Sequence, residues 1–207
     1  MEPTQNELTK FNPQSPYAIS KLYSHLVSIN YRDSYNLYTC SGILFNHESP
    51  RRGKTFVTRK ISEAVAKIKL GIIDSFKIGN LNAKRDWGYA KEYVEAMHLM
   101  LQQSKPEEFV IGTGRNYSVR FFIEETFRLA GMPIVWEGQG INEKGIIKDN
   151  KKVVVEIDKF YFRPSEVDIL LADPQKAKQK LNWEAQSKIE DIIEIMFEND
   201  FNLLNNN

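Results

Sequence analysis

Short apolar runs alternate along this chain with segments whose apolar residues recur every three or four positions, and glycine or proline separates many of them. Such alternation predicts an α/β protein with at least some parallel sheet. Ser15-Pro16 reads as an N-cap with proline in the first turn. Leu22, Leu26 and Ile29 continue at helical spacing, so a helix runs from about Pro16 to Ser34. Leu37 to Phe45 has the apolar character of a buried strand, and polar Asn46 to Thr55 reads as a loop. Ile61, Val65 and Ile68 mark a helix that stops at Gly71. Strands are expected at Ser75–Ile78 and Phe109–Ile111. Between them lies a helix over Gly88–Gln103 with Tyr93, Met97, Met100 and Leu101 facing inward. Ser118 caps a helix bearing Phe122, Thr126 and Leu129. Ile134–Trp136 and Val153–Ile157 flank a lysine-rich insertion as strands. Asp173-Pro174 opens another helix, and Ser187 with Glu190 forms a capping-box pattern before a last one. Asn202–Asn207 is expected to fray.

One signal is missing. A nucleotide-binding α/β enzyme opens with a strand, a glycine-rich turn and a helix, yet the first 14 residues hold no glycine. Gly112-Thr113-Gly114 comes late and lacks a third glycine, so it reads as an ordinary turn.

Composition narrows the partners. The formal net charge is +1, with 42% hydrophobic and 27% charged residues, so no global field draws in nucleic acid or an anionic membrane. No apolar run approaches the ~20 residues of a membrane span, and Met1 to Lys10 lacks the apolar core of a secretory signal. A single cysteine, Cys40, excludes an internal disulfide and fits a reducing, cytoplasmic setting; with three histidines, it argues against a metal site. Cys40, His25 and His98 read as structural. An anion would have to be held by a local cluster, for which Arg51-Arg52, Arg59-Lys60, Lys84-Arg85 and Arg163 are candidates.

Tyr17 and Lys21 stand four apart on one face of the first helix. Two readings are open for such a pair. It is a solvated helical face, or a cation beside a phenol that favours the phenolate and lets it take a proton from a sugar hydroxyl. The arginines carry a similar alternative. They pair on the surface with Glu48, Asp86 and Glu166, or their loops make charge-assisted bonds to phosphate. Trp87 reads as core and Asp86 as a brace for Arg85.

The run Asn12-Pro13-Gln14-Ser15-Pro16-Tyr17-Ala18-Ile19-Ser20-Lys21 resembles the active-site helix entry of extended short-chain dehydrogenases/reductases. Further segments follow in order: Asn46 to Gly53 (Asn-His-Glu-Ser-Pro-Arg-Arg-Gly, the most specific), Phe56 to Lys60, Gly79 to Gly88, Tyr161 to Asp168 and Lys176 to Trp183. Together, over about Phe11 to Leu204, they resemble the GDP-mannose 4,6-dehydratase family. The resemblance implies the C-terminal part of such an enzyme, with a remnant of a parallel Rossmann-type sheet and a smaller mixed α/β substrate-binding domain. The remnant is expected over residues 15–50, with 88–114 returning to it. The substrate region covers the rest of 51–201, between a polar segment 1–14 and the tail 202–207.

The resemblance further implies an NADP-dependent internal redox elimination, a lyase step of GDP-fucose biosynthesis. GDP-mannose becomes GDP-4-dehydro-6-deoxymannose and water. Tyr17 and Lys21 take the catalytic and cofactor-orienting roles, and His47 and Arg52 lie on the cofactor side. Asn46, Val57, Lys60, Arg85, Arg163 and Glu166 lie on the GDP-sugar side. The glycine-rich loop, and the hydroxyl and glutamate that act beside the tyrosine, precede the point where this sequence begins; neither Glu2 nor Glu7 replaces the glutamate. The chain alone is therefore expected to be inactive, and the complete enzyme to be a homo-oligomer. Alternatives are a non-catalytic GDP-sugar-binding or oligomerisation module, or another extended short-chain epimerase or reductase.

Overall fold

The computed structural model describes residues 4–162 and 169–206. Helix α1 (Pro16–Tyr35) precedes strands β1 (Ser41–Leu44) and β2 (Asn46–Glu48). Then come α2 (Val57–Lys69), β3 (Phe76–Ile78), β4 (Lys84–Arg85) and β5 (Trp87–Tyr89). Next are α3 (Ala90–Leu101), β6 (Glu108–Ile111), β7 (Tyr117–Ser118) and α4 (Val119–Leu129). Strands β8 (Ile134–Glu137), β9 (Lys144–Ile147) and β10 (Val153–Ile157) lead to α5 (Gln175–Leu181) and α6 (Ile189–Asn205). This is an α/β chain with parallel pairing, in two compact units.

The first unit comprises Met1–His47, Asp86–Asn116 and Leu170–Gln186. Its β1 and β6 pair in parallel, Ser41 opposite Glu108 through Leu44 opposite Ile111. Tyr93 and Met100 of α3, Phe109 and Ile111 of β6, and Leu181 and Trp183 after them close one apolar cluster. Gly88 is required there, since a Cβ would lie 2.4 Å from the Tyr93 ring. Of the four α3 residues expected inside, Tyr93 and Met100 are buried, whereas Met97 and Leu101 are exposed. The expected strand at Leu37–Phe45 is shorter, because β6 offers partners only for Ser41 to Leu44. Upstream of it, Thr39 donates to the Ser28 carbonyl and Tyr38 to that of Gln103, so this stretch is a pinned connector. Cys40 is half-buried beside the cluster.

Helix α1 begins as its sequence dictates: the Ser15 hydroxyl accepts from the Ala18 amide and proline follows in the first turn. It ends at Asn36, whose left-handed conformation (φ 53°) suits asparagine. None of its described side chains is buried, and Leu26 of the apolar stripe is 55% exposed.

The second unit comprises Glu48–Arg85, Tyr117–Ile169 and Ser187–Asn207. Its mixed sheet runs β3-β10-β9-β8, with β3 and β10 parallel and the other pairs antiparallel. The lysine-rich insertion expected between two strands thus contains a strand of its own, β9. Helices α2, α4 and α6 pack together through Ile61, Val65, Phe122, Ile123, Phe127, Ile192, Ile193 and Met196, all buried. Each such side chain contributes roughly 1.5–3 kcal/mol. The N-cap of α6 is Lys188, one residue later than expected, and its amide donates to the Asp191 carboxylate at 2.8 Å. That helix continues to Asn205 rather than fraying from Asn202, with Lys69 of α2 lying 5.0 Å over the Phe201 ring.

Candidate active site

Tyr17 and Lys21 lie one turn apart on α1, with the lysine Nζ 5.4 Å from the centroid of the tyrosine ring. The phenol is 70% exposed. Serines stiffen this stretch: Ser20 donates to the Tyr17 carbonyl, and Ser24 and Ser28 donate one turn back. In the same unit, Asn46 and His47 enter β2, which pairs with β5. The expected loop over Asn46–Thr55 therefore starts as a strand; polar side chains hid it. His47 Nδ1 lies 2.9 Å from the Phe45 carbonyl. A carbonyl only accepts, so Nδ1 carries a proton toward it. The imidazole stacks on Tyr93 at 5.1 Å, which fixes the ring plane.

Among the described residues, Asp86 braces a turn rather than Arg85. Its carboxylate takes the amides of Thr113, Gly114 and Ala172 and the Thr113 hydroxyl at 2.7–3.2 Å. Gly112-Thr113-Gly114 is thus a carboxylate-binding turn rather than an ordinary one. Burial pushes the Asp86 carboxyl above its usual range, and the four donors pull the other way. Trp87 is buried, as expected of a core residue. Glu7 spends its carboxylate on the Val110 amide at 2.8 Å.

In the second unit the loop after β2 is braced at both side chain and backbone. Glu48 is 1% exposed; its Oε2 accepts from the Thr58 hydroxyl at 2.5 Å and meets Arg52 Nε at 3.2 Å. Burial pushes the Glu48 carboxyl up to about 7, against the opposing pull of Thr58 and Arg52. The Arg52 guanidinium also lies 3.7 Å over the Phe56 ring. Of the arginines for which surface pairing was one reading, Arg52 does meet Glu48, but around a buried carboxylate rather than on the surface.

Arg59 is a correction. Instead of offering itself to a ligand, it is buried in the first turn of α2, paired with Asp200 of α6 at 2.6 Å. Its Nη1 donates to the carbonyls of Pro50 and Arg52, holding the loop. Ser62 completes the group by donating to Asp200 at 2.5 Å.

Val57 opens α2, and Lys60 one turn on has its Nζ 3.3 Å from the centroid of the Tyr161 ring. Arg85 lies on β4 opposite Tyr117 and donates to the Lys84 carbonyl at 2.8 Å. Arg163 and Glu166 lie outside the described residues. Sequence reasoning missed Asp200 as a brace for the loop. Its signal was an aspartate in register with the apolar face of the last helix, three residues after Phe197. Among the described residues, no group of three or more His, Cys, Asp or Glu is placed to hold a metal, and no helix is long and apolar enough to cross a membrane.

The parallel pair, the tyrosine–lysine helix and the separate mixed sheet together define an extended short-chain dehydrogenase/reductase fold. The chain superposes on RMD from Pseudomonas aeruginosa complexed with NADPH (TM-score 0.79, 15% identity, 96% of this chain and 60% of that one). It superposes likewise on UDP-glucuronic acid 4-epimerase from Bacillus cereus in complex with UDP-glucuronic acid and NAD (TM-score 0.77, 17% identity, 98% and 58%). Within that fold, the family model of GDP-mannose 4,6 dehydratase matches residues 1–196, and the chain belongs to this family of enzymes. The human GDP-mannose 4,6 dehydratase is 54% identical over 203 residues, 98% of this chain and 55% of the human protein. The chain spans about half the length of the curated relatives it matches.

Proposed function

We propose that this chain carries the acid/base tyrosine and the sugar-nucleotide contacts of a GDP-mannose 4,6-dehydratase, a lyase that forms GDP-4-dehydro-6-deoxymannose and water. The observation that supports this most is Tyr17 with Lys21 one turn on, exposed on α1, inside a family match over residues 1–196. Tyr17 takes the proton of the C4 hydroxyl, and Lys21 keeps a positive charge on the same face. NADP, when bound, stores the sugar's hydride between its departure from C4 and its return to C6. The donor set fits such a dinucleotide. Lys21 is an exposed cation, His47 has its Nδ1 engaged with the Phe45 carbonyl and its Nε2 on the other side of the ring, and Arg52 presents a guanidinium held by Phe56 and Glu48. On the GDP-sugar side, Lys60 and Arg85 supply cations for the diphosphate and Val57 an apolar contact. Asn46, Arg163 and Glu166 supply polar ones, the carboxylate suiting ribose hydroxyls. The glutamate for the elimination has no substitute in Glu7, whose carboxylate is engaged. The work of such an enzyme is cytoplasmic.

Calorimetry of one preparation with GDP-mannose, GDP, UDP-glucose and NADP tests the reading. The guanine ligands and NADP are expected to bind weakly and UDP-glucose not at all, with no dehydration of GDP-mannose by this chain alone. Equal binding of UDP-glucose would move the reading to an epimerase or reductase. Turnover would sink the requirement for the glutamate. A second reading, an oligomerisation module, draws on α1, whose Ile19, Tyr23 and Leu26 are all exposed. Sedimentation showing a monodisperse monomer would remove it.

A further inference from the structure

The loop between β2 and α2 is more tightly prepared than a surface loop needs to be. Arg59, itself neutralised by Asp200, fixes the carbonyls of Pro50 and Arg52. The Arg51 amide donates to the Ser49 hydroxyl at 3.1 Å and the Arg52 amide to the Ser49 carbonyl at 2.9 Å, closing the turn. On this fixed backbone the Arg52 side chain is held twice, by the Phe56 ring on its face and by the charge of the Glu48 carboxylate, which lies 3.2 Å from Nε without a hydrogen bond between them. Both grips leave aside Nη1 and Nη2, the paired donors whose geometry matches two oxygens of a phosphate. Glu48 is in turn fixed by Thr58, which is fully buried.

We propose that Glu48 is a positioning residue, holding the Arg52 guanidinium with its Nη1–Nη2 edge set to take a phosphate of the nicotinamide dinucleotide. This rests on the reading of Arg52 as a cofactor-side group. A flexible arginine gives up rotamer freedom on meeting a phosphate, and a pre-set one has already done so. Burying a carboxylate is a poor way to gain stability, because desolvation opposes its charge. Among the described residues, the groups that act on the Glu48 carboxyl are the Arg52 guanidinium from the loop and the neutral Thr58 hydroxyl from α2, while β5 pairs with its strand. Burial holds the Glu48 carboxyl near 7. Rising pH ionises Glu48, tightens its hold on Arg52 and strengthens cofactor binding, while the same ionisation weakens the fold. A purely structural acid would make affinity and stability move together.

The experiment follows arginine Nε–H resonances of the full 15N-labelled chain, with R52K to assign the Arg52 signal and NADP as the probe. In the free chain this signal is expected to be sharp and to titrate with a midpoint near pH 7, and in E48Q to shift and lose that titration. NADP is expected to move the wild-type signal, with affinity rising with pH while the melting temperature falls. E48Q is expected to weaken NADP about tenfold, the size of one charge-assisted orientation lost, and E48D to recover part of it. An E48Q chain that binds NADP as wild type does, with R52A weakened, overturns the positioning role and leaves the cofactor reading intact. NADP that moves no Arg52 signal, or binds R52A unchanged, overturns the cofactor reading and the proposal with it. If E48Q fails to fold, a flat wild-type pH profile of the Arg52 signal overturns the proposal by itself.

Discussion

Helices α1 and α2 both carry residues proposed for the site, and they differ in how much of each is buried. None of the described side chains of α1 is buried, whereas eight residues of α2, from Thr58 to Ile68, are. Helix α1 stands largely on local devices, a serine cap, a proline, back-bonding serines and a left-handed asparagine, with Arg32 of its last turn paired to Glu108 at 2.7 Å. Helix α2 stands on tertiary ones, an apolar face against α4 and α6 and an ion pair reaching to Asp200. The contrast separates chemistry from preparation. Tyr17 and Lys21 stand on an exposed helix, whereas Arg52 is oriented by the buried carboxylate and the ring beside it.

That contrast can be broken, starting with its largest consequence. Asp200→Ala leaves Arg59 buried without its partner, an expected loss of about 3–5 kcal/mol in chemical denaturation. A loss below about 1 kcal/mol would put α2 on the same footing as α1. Next comes pH. Glu48 is raised from 4.5 to about 7 in the folded chain, so the fold keeps a proton that the unfolded chain has released. Its contribution is fully present below about pH 4.5 and is lost as pH climbs through about 7, roughly 3 kcal/mol in all. Denaturation at pH 5 and pH 8 should show that decline in wild type and not in E48Q. Ser15→Ala removes the α1 cap for about 1 kcal/mol, visible as fraying of its first turn in amide exchange. Smallest of all, Tyr17→Phe should change stability by less than about 0.5 kcal/mol. A larger effect would mean that α1 is supported by its phenol.

Local signals were readable in advance, and distant ones were not. Ser15, Pro16, Ser118 and Gly71 mark helix ends because caps are decided within a few residues, and the apolar faces of α4 and α6 follow from period alone. β2 was hidden because Asn46, His47 and Glu48 are strand residues by virtue of a partner, β5, rather than by propensity. Of the site, the motif segments could be read, and pairing of the arginines with nearby carboxylates was one open reading, but neither the choice of Arg52 for Glu48 nor its burial could be read. Arg59 was misread for a physical reason. An arginine beside a loop has the same sequence signature whether it awaits an anion or already holds one, and the answer lay in α6.

The Arg59–Asp200–Ser62 group also bears on how the protein is made. Ser62 and Asp200 are 138 positions apart, and synthesis runs from the N-terminus. While the chain grows, Arg59 and the loop it steadies must wait, charged and solvated, until Asp200 has been made. The Arg52 clamp therefore takes shape only once α6 is present, and a nascent chain stopped short of α6 would carry the binding motif without its form.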